Sequence, residues 1–294
     1  MQIGFVCPDG ETIKFEECLK KCRMASRCLT LPTLMAISKT RKWTGTPSVT
    51  QCLNGTMEAY LKITVPYFIN PQRYAFALLG TDHHKNLERA ALPAEVFGEE
   101  QFKEEGLTGQ VDLLDGRVLT DYKTWGSYKV AKALGYYYVS VPTGEFYKSG
   151  AKKGQEKFKK ELRQSPDKID MIDSIYQLNR YRIFFEKAGF PIEKMQIQAT
   201  VRDGGTYIAF SRGVKNNIYL IDVPRVDDEI ILEYFSRKGS ALVKCVSTKT
   251  PPADPCTPEE RWEDRKCKSF CEVAASCPHG QVILASVEET EEGA

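Results

Sequence analysis

No stretch of the 294-residue sequence approaches the roughly 18 consecutive apolar residues that a membrane-spanning helix needs. An excess of one charge is also missing: 41 lysines and arginines face 39 acidic residues, a net of +2. The total therefore does not mark a nucleic-acid binder, and any basic surface must be local. The opening residues, Met1-Gln-Ile-Gly-Phe-Val-Cys-Pro-Asp, lack the basic start and apolar centre of a secretion signal. A soluble, intracellular protein is expected. With 42% apolar and 27% charged residues, collagenous, coiled-coil and wholly disordered chains are excluded. Histidine is scarce, at 3, but cysteine is not, at 10. In a reducing compartment, so many thiols point to metal ligation before disulfides.

Eight of the cysteines form a repeat. Cys7, Cys18, Cys22 and Cys28 follow the spacing C-x10-C-x3-C-x5-C, and Cys256, Cys267, Cys271 and Cys277 follow it again, each shifted by 249. Between the cysteines only Glu11 matches Glu260 and Ala25 matches Ala274. Spacing kept without sequence is what a metal requires, since four thiolates must converge while the residues between them stay free. Two four-cysteine metal sites are expected. Two Zn2+ ions or two [4Fe-4S] clusters both satisfy four thiolates, and the local character of each quartet leans towards zinc. Cys52 and Cys245 stand outside the repeat and read as core residues.

Turn signals and periodicity place the remaining elements. A helix is expected from Leu29 towards Lys42, another over 48–63, and a third over 74–91. Residues 107–124 read as two strands around Asp115-Gly116. A strand or buried helix end is expected over 136–141, and a helix over 170–189. Strands at 196–202 and 207–211, joined by Asp203-Gly-Gly, precede a strand at 218–223 and a helix at 227–238. Residues 148–163 carry seven basic and two acidic side chains, a local +5 that reads equally as a solvated helix or loop and as a phosphate-contacting segment. The acidic end, with Glu288, Glu289, Glu291 and Glu292, reads as a disordered tail.

Four fragments carry chemistry. They are Gly80-Thr-Asp-His-His84 followed by Glu88, Gly109-Gln-Val-Asp112, Asp121-Tyr-Lys123, and Gln177-Leu-Asn-Arg-Tyr181. In this order they resemble the GTxxH, GxxD, D-x-K and QxxxY elements of the RecB-like branch of the PD-(D/E)XK nuclease superfamily, which includes CRISPR-adaptation and phage-associated nucleases. In a D-x-K strand, residues 121 and 123 share one face because side chains alternate. Two carboxylates and a lysine suit phosphodiester hydrolysis, in which a divalent ion held by oxygen neutralises the phosphate and supplies hydroxide near neutral pH.

The resemblance implies an α/β, restriction-endonuclease-like core, a central mixed sheet flanked by helices, accompanied by the two small cysteine-metal modules. It implies Asp112, Asp121, His84 and the Tyr122 backbone carbonyl as ligands of Mn2+ or Mg2+, with Lys123 and Glu88 in the catalytic set. Gln177 and Tyr181, one helical turn apart, would approach DNA, with Lys129 as a further DNA contact; His83 is given no role. The expected domains are a metal module with linker helix over 1–45, the nuclease core over 46–245, and a second metal module with the acidic tail over 246–294.

The implied activity is DNA hydrolysis at ends or on single strands. A partner from recombination, replication or a phage complex, no membrane partner, and a cytoplasmic setting in a bacterium or phage-infected cell accompany it. A non-catalytic DNA-binding or assembly module is the alternative. Relatives in this branch hold one cluster with a cysteine upstream of GTxxH and three after QxxxY. A rival set of Cys52 with Cys267, Cys271 and Cys277 therefore stands beside the two quartets.

Overall fold

The computed structural model describes residues 1–91 and 97–292 of the chain. The chain forms two compact units: Met1–Pro93 with Glu99–Val111 and Val226–Ala294, and Ala94–Gly98 with Asp112–Arg225. Among the described residues, no helix is long and apolar enough to cross a membrane.

The first unit opens with β1 (Gln2–Val6), antiparallel to β2 (Thr12–Lys14) and parallel to β3 (Tyr67–Ile69). Gly4 is required in β1, because a Cβ there would lie 2.2 Å from the Ile13 carbonyl oxygen and 2.7 Å from the Phe68 ring. Helices α1 (Phe15–Lys20) and α2 (Leu31–Ile37) follow. The second stops short of the expected Lys42. The helix expected over 48–63 is two, α3 (Val49–Cys52) and α4 (Thr56–Thr64). Ser48 and Gln51 close a capping box, Ser48 Oγ accepting from the Gln51 amide at 3.1 Å and Gln51 Oε1 from the Ser48 amide at 2.8 Å. Gly55 then caps α4 afresh. Helix α5 (Pro71–Ala91) bears His84 and Glu88.

Strands β4 (Phe97–Glu104) and β5 (Leu107–Asp115) come next, and β5 runs from the first unit into the second. It turns at Gly116, whose φ of +58° suits glycine, into β6 (Val118–Trp125). The remaining elements of the second unit are α6 (Ser127–Ala133), β7 (Tyr136–Phe146), β8 (Glu156–Gln164), α7 (Ile172–Lys187), β9 (Lys194–Val201), α8 (Tyr207–Ser211) and β10 (Ile218–Asp222). The main sheet has the order β10-β9-β6-β5-β4 and is mixed: β5 and β6 are antiparallel, β6 and β9 parallel, and β9 and β10 antiparallel. Helix α7 packs on β6 and β9, and α6 packs on the same two strands. This is the expected mixed α/β architecture of a central mixed sheet flanked by helices.

Two expectations for this unit are corrected. Residues 207–211 are helical, not a strand, because Thr206 Oγ1 accepts from the Ala209 amide at 3.2 Å and starts a turn of helix. Asp203, read as part of a hairpin turn, instead accepts from the Ser127 amide and hydroxyl, each at 2.6 Å, and fixes the start of α6. The basic stretch is neither helix nor plain loop: its second half is β8, paired with β7 as a separate two-stranded ribbon.

The chain returns to the first unit with α9 (Asp228–Thr248), which runs ten residues beyond the expected end at Lys238, then α10 (Arg265–Ser269) and α11 (Pro278–Glu292). The acidic end therefore has a helical backbone to Glu292, in place of the expected disorder. Two apolar clusters hold this unit. Phe5, Leu34, Ile37 and Ile69 surround Cys18, whereas Met57, Tyr60, Leu61, Leu242 and Val273 surround Cys277. Each cysteine quartet thus grows out of its own small core.

Candidate active site and metal centres

Parallel pairing sets Asp121 opposite Ile197 and Lys123 opposite Ala199, deep in the sheet. Leu113 pairs with Thr120, so Asp112 and Asp121 are the next residues outward on the two hairpin strands. The Asp112 Oδ2 atom accepts from the Tyr122 amide at 2.7 Å. A strand residue points its N–H and C=O towards the same neighbouring strand, so the Tyr122 carbonyl lies on the Asp112 side.

Asp121 is buried, and its Oδ2 lies 2.6 Å from the Lys123 ammonium. Gln177 on α7 joins both: its amide N–H donates to Asp121 Oδ1 at 3.2 Å, and its Oε1 accepts from Lys123 at 3.2 Å. The same amide nitrogen donates to the Tyr181 hydroxyl, one turn on, at 3.1 Å. Burial works against charge on Lys123, but Asp121, its direct hydrogen bond, Asp112 and Asp173 outweigh it and hold the ammonium above the ordinary lysine pKa. Lys129 lies 5.0 Å above the Trp125 ring; burial, with Lys123 adding to it, lowers its pKa against the pull of Asp173 and Asp170.

The second unit thus brings together Asp112, Asp121, Tyr122, Lys123, Lys129, Gln177 and Tyr181, four of them (Asp121, Lys123, Gln177 and Tyr181) in one hydrogen-bonded set, with Asp112 bonded to the Tyr122 amide beside it. His84 and Glu88 are half-buried on α5, in the first unit. The His83 and His84 rings meet edge to face at 6.4 Å, and burial, with His84 beside it, lowers the His83 pKa.

In the first unit, Cys7, Cys18, Cys22 and Cys28 line one small cavity, and Cys256, Cys267, Cys271 and Cys277 line another. The second cavity takes Cys256, while Cys52 is buried beside Gly239 of α9. Burial pushes Cys18 up, with Cys22, Cys7 and Cys28 adding to the effect, and pushes Cys271 up to about 12. No disulfide is formed. In neither quartet do three sulfur atoms lie within 4.8 Å of one another among the described residues.

Sequence reasoning missed several parts of these sites. Arg27 donates to the Cys18 carbonyl oxygen at 2.7 Å, and Arg261 does the same for Cys256 at 2.7 Å, although the two arginines are not related by the 249-residue shift. His279, two residues beyond Cys277, bonds Asp264 Oδ1 at 2.9 Å. Asp264, Cys267 and His279 have ligand atoms within 4.8 Å of one another. The sequence signal was there in Cys277-Pro-His279, next to the last cysteine of the quartet.

No protein-family profile matches the chain, and comparison with curated proteins gave no match. Among solved structures, the one described as "Crystal structure of SSO0001" is similar at 15% identity and a TM-score of 0.41, over 85% of this chain and 93% of that one.

Proposed function

We propose that this protein is a divalent-metal-dependent DNA nuclease of the PD-(D/E)XK type, acting on DNA ends or single strands. The observation that carries the reading is the set Asp121, Lys123, Gln177 and Tyr181, held by three hydrogen bonds and an ion pair, with Asp112 of a third sequence fragment bonded to the amide of the intervening Tyr122. An all-oxygen donor set of Asp112, Asp121 and the Tyr122 carbonyl suits Mg2+ or Mn2+. When bound, the ion supplies charge neutralisation at the phosphate and an acidified water.

The protein's own groups do the rest. Lys123, charged at neutral pH, stabilises developing negative charge on the phosphate or orients the attacking water. Gln177 fixes the separation of Lys123 and Asp121, and Tyr181 fixes Gln177. Lys129 on the neighbouring α6 serves the DNA backbone.

The cysteine quartets serve as two metal centres that brace the first unit. A tetrahedral zinc ion with Zn–S of about 2.3 Å sets sulfurs about 3.8 Å apart. Four thiolates in each quartet suit a zinc ion or a [4Fe-4S] cluster, and the cavity lined by Cys256 with Cys267, Cys271 and Cys277 supports the quartet over the set with Cys52.

The test is cleavage of end-labelled linear single-stranded and duplex DNA, beside closed circles, with Mn2+, Mg2+ or EDTA, for the wild type and Asp112→Ala. Metal-dependent loss of linear substrate in the wild type alone is expected. Absence of cleavage by folded, metal-loaded protein under all conditions would reject the nuclease and favour an assembly module for a recombination, replication or phage complex.

A further inference from the structure

The ribbon of β7 and β8 is built unlike the rest of its unit. Its register pairs Tyr136 with Gln164, Tyr138 with Leu162, Ser140 with Lys160 and Pro142 with Phe158 on one face; Tyr137 with Arg163, Val139 with Glu161 and Val141 with Lys159 lie on the other. Only the root is anchored. Tyr138 donates to the Ser211 carbonyl oxygen at 2.6 Å, Gln164 donates to that of Leu134 at 2.9 Å, and Gly213 leaves room for the Tyr136 ring, which a Cβ would meet at 2.8 Å. Beyond the root both faces are open, with Phe146 55% and Phe158 60% exposed. The tip is ordered by backbone hydrogen bonds, Tyr147 to Gln155 and Gly154 to Tyr147, each at 3.0 Å.

Seven basic residues lie over 148–163, with only Glu156 and Glu161 against them. Lys157 is paired with Glu145 at 3.0 Å and Arg163 with Glu161 at 3.7 Å. Lys148, Lys153, Lys159 and Lys160 form no ion pair among the described residues, so their charge is available. Lysines on a ribbon edge also discourage edge-to-edge aggregation. That role calls for charge alone and is undone by large aromatic rings left in water. Cations interleaved with exposed rings are what a single strand of nucleic acid uses, phosphates meeting ammonium groups and unpaired bases stacking on aromatic faces.

We infer that the β7–β8 ribbon is a binding arm for single-stranded DNA, with Phe146 and Phe158 as stacking platforms, Lys153 and Lys160 on phosphates, and Lys159 taking a phosphate from the opposite face as the strand wraps the ribbon edge. The inference deepens the nuclease reading by naming the strand the second unit holds. It is tested by fluorescence anisotropy of a labelled single-stranded oligonucleotide and its duplex, in EDTA, across a salt series, so that binding is read without cleavage. In the variant Lys153→Ala/Lys159→Ala/Lys160→Ala, affinity should fall by about 10-fold or more and the slope of log K against log salt should flatten by about 2, near 0.7 for each lost single-strand contact. Phe158→Ala should weaken the single strand by about 5-fold or more while leaving the duplex unchanged.

Unaltered affinity and slope in the triple variant, with wild-type melting behaviour, would overturn the arm. Equal losses for both DNA forms in Phe158→Ala would overturn the single-strand assignment. Asp121→Asn, tested in parallel, keeps the two readings separate. If the wild type binds DNA through the ribbon yet never cleaves, the nuclease reading fails alone; if it cleaves and the ribbon variants bind normally, the arm fails alone.

Discussion

The Lys123 ammonium lies 2.6 Å from Asp121 Oδ2, and Gln177 is hydrogen-bonded to both residues. Removing one member of a buried ion pair strands the other, at a cost of about 3–5 kcal/mol, less where one partner keeps some solvent as Lys123 does. Lys123→Met should therefore destabilise the fold by about 2 kcal/mol, and Asp121→Asn/Lys123→Met should recover most of that, as read by urea unfolding. Cleavage should be lost in both, so stability and catalysis part company. The raised Lys123 pKa sets the alkaline limit: its contribution is complete below about pH 10.4 and fades as pH rises through the higher folded value.

The hairpin that carries Asp112 and Asp121 was legible because Asp115-Gly116 separates two apolar runs and the glycine takes the left-handed conformation there. Helix α7 was legible from its periodicity, and the quartets from spacing alone. What escaped was decided at longer range. Thr206 starts α8, while the Asp203 carboxylate, nearby in sequence, is held by Ser127, 76 residues away. Residues 48–63 have one helical periodicity, but the break at Asn54-Gly55 is fixed by Cys256, whose sulfur occupies the space a Cβ at Gly55 would take. The strand character of Glu156–Gln164 comes from pairing with β7, because its own lysines favour no strand.

Cys52 separates from the proposed ligand cysteines by its burial. Burial pushes its thiol up to about 11, with only partial relief from Lys238. Alkylation by iodoacetamide at pH 8, followed by peptide mass spectrometry, should leave Cys52 unmodified in folded protein and modify it on unfolding. Metal-stripped protein should gain modification first at the half-buried quartet positions, ahead of the buried Cys18 and Cys277. A folded thiol pKa above the ordinary value of about 8.5 also means that its contribution to stability is complete below that pH and is lost as pH rises through about 11. Cys52→Val, which keeps the volume without the titrating group, should fold and remove that alkaline loss. Loss of metal from the variant would instead restore the rival ligand set.

Glu58 is buried between two ammonium groups, Lys62 at 2.8 Å and Lys266 at 2.6 Å, with Glu272 on Lys62 at 2.9 Å. Burial raises its pKa, but the two lysines outweigh burial and hold the carboxyl below the ordinary value. The stability it supplies is present above about pH 4.3 and is lost as pH falls through the folded pKa. Glu58→Ala should cost about 3 kcal/mol near neutral pH, because the half-buried Lys266 loses its counter-charge while Lys62 keeps only Glu272. The mutant should also show a smaller loss on acidification than the wild type, measured by thermal melts from pH 7 to 3.

Gly55 and Cys256 offer the sharpest test of the metal centre proposed at the C-terminal quartet. The Gly55 φ of −59° is ordinary for any residue, so alanine there meets no backbone strain. Its Cβ, however, would lie 2.2 Å from Cys256 Sγ and 2.8 Å from Cys256 Cβ, far inside van der Waals contact. The cysteine must move, and Gly55 is the start of α4, which packs on α9, so the helix is the less free of the two. Gly55→Ala should therefore lower metal occupancy at Cys256, Cys267, Cys271 and Cys277 while leaving Cys7, Cys18, Cys22 and Cys28 loaded. Iron and zinc analysis should show up to half of the bound metal missing, and Cys18→Ser should remove the complementary half. Full occupancy in Gly55→Ala would place Cys256 outside the ligand set, leaving Cys267, Cys271 and Cys277 to find their fourth donor in His279 or Asp264, which stand within reach of Cys267.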